Sequence, residues 1–116
     1  MSDAPDEMLP PASREIARRR AELAPEAAEA FKNFSRAAFA EGELSEATKQ
    51  LIAVAVAHVT QCPYCIRSHT EEAKRHGASD EQIMEAIWVA AEMRAGGAYA
   101  HSAVAIDEMG RHEPNE

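Results

Sequence analysis

The feature that most constrains the fold is a continuous apolar run from Leu51 to Ala57, LIAVAVA. A helix without a polar face is buried on every side. In a chain of 116 residues, such a helix has to lie at the centre of a domain or at a subunit interface. Isoleucine and valine also favour strands, but the four alanines between Ala47 and Ala57 and the helical patterns on both sides favour a helix. The run therefore predicts an all-α protein.

Capping residues, prolines and glycines divide the chain into about six helices. The expected starts are Ser13, Pro25, Ser45, Cys62-Pro63, Ser79 and Ala98. The expected ends are Leu23, Gly42, Gly77, the Gly96-Gly97 pair and Gly110. We expect one helical domain over residues 13–110, a disordered or extended lead over residues 1–12, and a polar tail over residues 111–116.

The net charge of −8 argues against a nucleic-acid or membrane-surface partner, because both prefer a basic face. The first residues are acidic and proline-bearing, without the apolar core of a signal peptide. No apolar run approaches the roughly 18 residues of a membrane span. We therefore expect a cytoplasmic protein, in which a cysteine pair is more often catalytic or metal-binding than a structural disulfide.

Both cysteines and two of the five histidines lie in one stretch, HVTQCPYCIRSH, from His58 to His69. Pro63 predicts a helix start with Cys62 as its N-cap. Residues three and four apart share a helix face, so Cys62, Cys65 and His69 can meet at one helix end. The partial positive charge there stabilises a thiolate. These residues fit thiol oxidation and disulfide formation.

Two other interpretations of the same residues stay open. His58, Cys62, Cys65 and His69 could form a Cys2His2 zinc site in a structural or interaction module, although zinc ligands more often come from two separated segments. The cysteines could also be two buried free thiols. A thioredoxin fold is not expected, because the element before the cysteines is helical rather than a strand.

The stretch LIAVAVAHVTQCPYCIRSHTEEAKRHGAS resembles the alkylhydroperoxidase D-like group of the carboxymuconolactone decarboxylase family, and the similarity runs from about Leu44 to Ala105. The shared pattern is Cys-X-X-Cys followed by histidine four residues later, matched by Cys62, Cys65 and His69. The resemblance implies an all-helical fold assembled into homotrimers or homohexamers.

The resemblance also implies a cysteine-based peroxidase. Cys65 would attack the hydroperoxide, Cys62 would resolve the sulfenic acid into a disulfide, and His69 would assist deprotonation of Cys65. A reductant protein or small thiol would restore the pair by exchange. We expect no cofactor and no metal.

The chain departs from this pattern at two positions. Gln50 stands where the family has a proton-relay glutamate, and Tyr64 stands where the hydroperoxidases have a histidine. Glutamine does not carry a proton, but it can hydrogen-bond an imidazole or water. Gln50, His58 and His101 are therefore the candidates for positions in a proton relay.

Two further possibilities follow from the same region. Glu43 and Glu46 could reach the site only if the loop before Gln50 folds back. A decarboxylase-like activity, the one that names the family, is a further alternative, but it would leave the cysteine pair without a role.

Overall fold

The structure, a computed structural model, describes residues 8–112. Its helices are α1 (Arg14–Leu23), α2 (Pro25–Phe39), α3 (Glu46–Thr60), α4 (Pro63–Arg75) and α5 (Asp80–Gly110). Within those residues there is no strand, and the all-α prediction is confirmed. Of the expected lead and tail, residues 1–7 and 113–116 lie outside the described residues, while residues 8–12 and 111–112 are not helical.

The chain divides into two compact units, one ending at Gly42 and the other beginning at Glu43. The expectation of one domain over residues 13–110 stays a prediction. In the first unit, the Ser13 side chain accepts the Ile16 N–H and caps α1, and Pro25 opens α2. The rings of Phe31 and Phe34 lie 6.4 Å apart on α2, and both remain exposed.

The second unit is built on α3, which contacts both α4 and α5. His76, at the end of α4, lies 2.8 Å from the Glu46 carboxylate at the start of α3. Arg94 of α5 donates to the Val59 carbonyl at the end of α3 over 2.8 Å. Consequently α4 runs antiparallel to α3, while α5 starts beside the beginning of α3 and runs in the same direction.

A small core joins these helices. Its buried members are Val54, Ala73, Ala78 and Ile83, with Leu51 and Ile87 packed against them. The opposite side of α3 is different, because Ile52, Val56 and Val59 are about half exposed. In the single chain α3 is therefore buried on one side only, and the expectation that it is buried on every side is not met within this chain.

The predicted interruption at Gly96-Gly97 is wrong, because α5 continues unbroken from Asp80 to Gly110. Each glycine costs about 1 kcal/mol relative to alanine inside a helix, which is too little to end a helix with alanine-rich flanks. The described chain thus has five helices rather than six. Since Arg94 lies at the end of α3, residues 95–110 extend about 24 Å beyond it at 1.5 Å per residue.

Candidate functional site: a dithiol at the start of α4

The turn between α3 and α4 places Cys62. α3 ends at Thr60, and Gln61 adopts a left-handed conformation with φ of 58°. The Cys62 N–H then donates back to the Ala57 carbonyl over 3.1 Å, a closure typical of helix C-termini. Pro63 opens the next helix directly, so the chain reverses within two residues and presents Cys62 at the start of α4.

The two sulfurs lie 2.9 Å apart. Cys62 is the N-cap of α4, as predicted, and its Sγ accepts the Cys65 N–H over 3.3 Å. Both cysteines are free thiols and half-buried. The site therefore consists of two partly accessible thiols that contact each other. They lie at a helix N-terminus, which stabilises negative charge.

The two thiols have opposite acidity shifts. The hydrogen bond from the Cys65 thiol lowers the pKa of Cys62 most, and the backbone N–H of Cys65 lowers it next. Burial raises this pKa by less than either, and the backbone N–H of Tyr64 adds a smaller lowering. The bond between the two thiols raises the pKa of Cys65, together with burial and repulsion from the Cys62 charge. The negative charge of the pair is therefore favoured on Cys62.

His69 and Gln50 meet across the α3–α4 interface. His69 Nδ1 lies 2.8 Å from Gln50 Oε1, and Gln50 is only 7% exposed. The Gln50 amide thus bonds an imidazole, as a glutamine is able to do, while its place in a proton relay stays a prediction. Because Nδ1 is engaged by Gln50, a proton exchanged between His69 and the thiols has to use Nε2.

The other relay candidates do not join this group. The His58 ring bonds the Val54 carbonyl at 2.7 Å, and the His101 ring bonds the Gly97 carbonyl at 2.9 Å. Both are contacts with the preceding helical turn, and in the described part of the chain neither ring hydrogen-bonds a cysteine or His69. Glu46 contacts His76 at the opposite end of α3, so the loop does not bring it to the cysteines.

A metal site is not formed by these residues. Within residues 8–112, no three or more His, Cys, Asp or Glu side chains are grouped so that they could hold a metal ion. Cys62 and Cys65 contact each other, but His58 and His69 point to different partners. The side-chain arrangement therefore gives no support to the zinc interpretation.

The family's sequence profile matches residues 25–108, more than half of the chain. The chain belongs to the carboxymuconolactone decarboxylase family. The match runs from the start of α2 to the last turn of α5 and includes the cysteine pair, so the family assignment covers the candidate site.

Relatives of this family member agree in sequence and fold. It is 65% identical over 78 residues to an uncharacterized protein in the cox locus of Paracoccus denitrificans, covering 67% of this chain and 70% of that one. A crystal structure from Methanobacterium thermoautotrophicum matches at 43% identity and a TM-score of 0.69, covering 72% and 93% of the two chains.

A third similarity comes with a functional suggestion. A carboxymuconolactone decarboxylase family protein from Thermotoga maritima matches with a TM-score of 0.52 at 27% identity, covering 69% of this chain and 92% of that one. Its name suggests involvement in an antioxidative response.

Sequence reasoning missed two features that shape the site. The left-handed conformation of Gln61 could not be predicted, because glutamine has no preference for positive φ. The one sequence signal that favours such a tight turn is the short link between the apolar helix and Pro63. The Arg94 contact with the end of α3 joins residues 35 positions apart, and no local sequence pattern predicts it.

In the described residues, no helix is long and apolar enough to cross a membrane.

Proposed function

We propose that this protein is a thiol-dependent peroxidase and disulfide oxidoreductase that reduces hydroperoxides with the Cys62–Cys65 pair. The observation that carries the proposal is the contact between the two sulfurs, 2.9 Å apart at the first turn of α4. Two thiols at this spacing can close a disulfide with little movement of the helix. The family relationship and the suggested antioxidative link of the Thermotoga maritima relative support the same chemistry.

The reaction balances with these two sulfurs alone. One thiolate attacks the terminal peroxide oxygen, the O–O bond breaks, and the departing alkoxide takes a proton and leaves as an alcohol. The resulting sulfenic acid is attacked by the second thiol, which forms the disulfide and releases water. Two electrons pass from the thiols to the peroxide, and the proton lost by the attacking thiol is returned to the alkoxide.

A dithiol, from a protein or a small molecule, then reduces the disulfide by exchange. The half-buried cysteines leave the pair accessible to such a reductant. We assign the acceptance and return of the proton to His69; the support is that it lies on α4 one turn after Cys65 and hydrogen-bonds Gln50. General acid–base assistance of this kind contributes roughly 10²–10⁴-fold to rates.

We propose that the functional form is a cytoplasmic homo-oligomer, a trimer or hexamer. The support is a row of exposed residues on one face of α5, here named the α5 stripe: Met84, Trp88, Ala91, Ala95, Tyr99, Ile106 and Met109. Trp88 is 65% exposed and Tyr99 is 83% exposed. Large contiguous apolar patches mark interaction surfaces, and a second copy of the chain also exposes the apolar residues Ile52, Val56 and Val59 on α3.

A decarboxylase-like activity fits the site less well. Such a reaction would leave the contacting thiols and the left-handed turn that positions them without a function. The zinc module fits less well too, because His69 is turned toward Gln50. The peroxidase proposal gives a role to every residue of the cluster formed by Cys62, Cys65, His69 and Gln50.

Steady-state turnover tests the proposal. Purified protein, cumene hydroperoxide or hydrogen peroxide, and a dithiol reductant such as dithiothreitol are mixed, and peroxide consumption is followed. We expect the wild type to consume peroxide above the reductant background and Cys62→Ser and Cys65→Ser to lose turnover. A His101→Ala variant, altered at an exposed position outside the cluster, is the matched control and should keep it. Equal consumption by wild type and both cysteine variants contradicts the proposal.

A further inference from the structure

We propose that Cys62 is the sulfur that attacks first, and that Cys65 keeps its proton until it closes the disulfide. This division of labour rests on the proposed function of the pair. It reverses the roles that the family resemblance implies, in which Cys65 attacks and Cys62 resolves. The reason lies in which sulfur the helix start supports.

Only one of the two sulfurs occupies the N-cap of α4. Cys62 Sγ accepts the Cys65 backbone N–H at 3.3 Å, and an N-cap acceptor also benefits from the positive end of the helix. Cys65 lies within the first turn, where its own N–H points at Cys62. The backbone therefore stabilises a negative charge on Cys62, whereas no backbone N–H within residues 8–112 donates to Cys65 Sγ.

That asymmetry decides which of the two sulfurs holds the proton that they share. At 2.9 Å the two sulfurs share a hydrogen bond. With Cys62 as the thiolate, the Cys65 S–H donates to it, and the backbone N–H groups of Cys65 and Tyr64 favour the charge on the same atom. The hydrogen bond from Cys65 and the two backbone N–H groups accordingly lower the pKa of Cys62, while the same contact and burial raise the pKa of Cys65.

The chemistry then runs in a fixed order. The Cys62 thiolate attacks the terminal oxygen of the hydroperoxide and becomes a sulfenic acid, and the alkoxide takes up the proton that Cys62 had released. The Cys65 sulfur attacks Cys62 Sγ, its proton leaves with the hydroxyl as water, and the disulfide forms. A thiolate is the nucleophile in each thiol–disulfide exchange, so the reduced pair also uses Cys62 toward a partner disulfide.

Competitive alkylation of the unmodified, reduced protein tests the assignment directly. A brief exposure to less than one equivalent of iodoacetamide near neutral pH is quenched, and the peptide holding both cysteines is fragmented between Cys62 and Pro63, which separates the two labels. We expect Cys62 to carry several-fold more label than Cys65. Equal labelling, or more label on Cys65, overturns the assignment.

Sulfenic acid trapping provides the second measurement. Cys65→Ser and Cys62→Ser are treated with one equivalent of hydrogen peroxide in the presence of dimedone. Serine is itself a strong N-cap, so Cys62→Ser keeps the helix start intact. We expect trapping at Cys62 in the first variant to be several-fold faster than trapping at Cys65 in the second.

The opposite order of trapping rates would overturn the assignment while leaving the peroxidase function standing. If wild type and both variants fail to react with peroxide, the proposed function fails, and the alkylation ratio still decides which sulfur carries the thiolate. The two claims are therefore separated by the measurements.

Discussion

His69 Nδ1 lies 2.8 Å from Gln50 Oε1, so an imidazole on α4 is held by a buried amide on α3. With the amide oxygen facing the ring, Nδ1 carries the proton and Nε2 carries the lone pair. The amide thus fixes the ring and its tautomer, but it adds no charge that would stabilise an imidazolium. The proposed role of His69 as a proton acceptor therefore lacks the electrostatic support that a carboxylate supplies.

Replacing the amide by an acid, Gln50→Glu, is expected to raise the rate of peroxide reduction. A carboxylate at this place accepts the same Nδ1–H and stabilises the protonated ring, so His69 takes up a thiol proton more readily. We expect an increase of about tenfold at neutral pH, below the roughly 10²–10⁴-fold that a positioned acid–base group supplies in full. Stopped-flow measurement with cumene hydroperoxide checks it.

The control for this substitution is Gln50→Leu, which removes the hydrogen bond without adding a charge. It should lower the rate and destabilise the fold by about 1 kcal/mol, because the half-buried His69 ring loses its hydrogen-bond partner. An unchanged or lower rate in Gln50→Glu, with thermal unfolding showing an intact fold, speaks against any role of this position in proton transfer.

Many helix starts could be predicted because they depend on residues close together in the sequence. Ser13, Ser45, Ser79 and the Cys62-Pro63 pair mark helix starts through caps and fixed φ, and all of these were predicted correctly. The Gly96-Gly97 break was predicted wrongly, since a glycine pair lowers helix stability without ending the helix. The direction of the acidity difference also could not be assigned, because it depends on which backbone N–H reaches which sulfur.

The left-handed turn before the site yields a stability prediction. A non-glycine residue in this conformation costs roughly 1–2 kcal/mol, whereas glycine adopts it freely but has more entropy in the unfolded chain. Gln61→Gly is therefore expected to raise the free energy of unfolding by up to about 1 kcal/mol, and Gln61→Val to lower it by more than about 1 kcal/mol. Urea unfolding measures both, and a Gln61→Val protein as stable as wild type contradicts the assigned geometry.

The pH dependence of stability should carry a contribution from His76. The Glu72 carbonyl, and then the Glu46 carboxylate, raise the pKa of His76 above its ordinary value of 6.5. A raised folded-state pKa means that the contribution is fully present below the unfolded-state pKa and is lost as the pH rises through the folded-state pKa. Wild type should therefore exceed His76→Gln in unfolding free energy by more at about pH 5.5 than at about pH 8.5.

The partner of this imidazole supplies the control. In a Glu46→Gln background, the pH dependence of the difference between His76 and its glutamine variant should shrink, because the carboxylate that favours the charged ring is absent. Parallel pH profiles for wild type and His76→Gln, measured by urea unfolding, would rule out the contact as a stabilising one in solution.

The exposed apolar residues of the α5 stripe predict that copies of this chain associate through α5. Trp88 is 65% exposed in the single chain, so Trp88→Asp should leave the subunit folded while burying an unpaired charge in any interface that covers it, at a cost of several kcal/mol. Light scattering coupled to gel filtration should show an oligomer for wild type and smaller species for Trp88→Asp. Glu85→Gln, an exposed change on the same helix, should stay oligomeric, and a monomeric wild type would contradict the assembly.

The most direct test of the central claim is a single turnover without reductant. Fully reduced protein is mixed with one equivalent of cumene hydroperoxide, and the alcohol, the remaining thiols and the intact mass are measured together. We predict one alcohol formed for every two thiols lost, with a Cys62–Cys65 disulfide as the product. Retention of both thiols, or thiol loss no faster than in a Cys62→Ser/Cys65→Ser protein exposed to the same peroxide, would contradict the account.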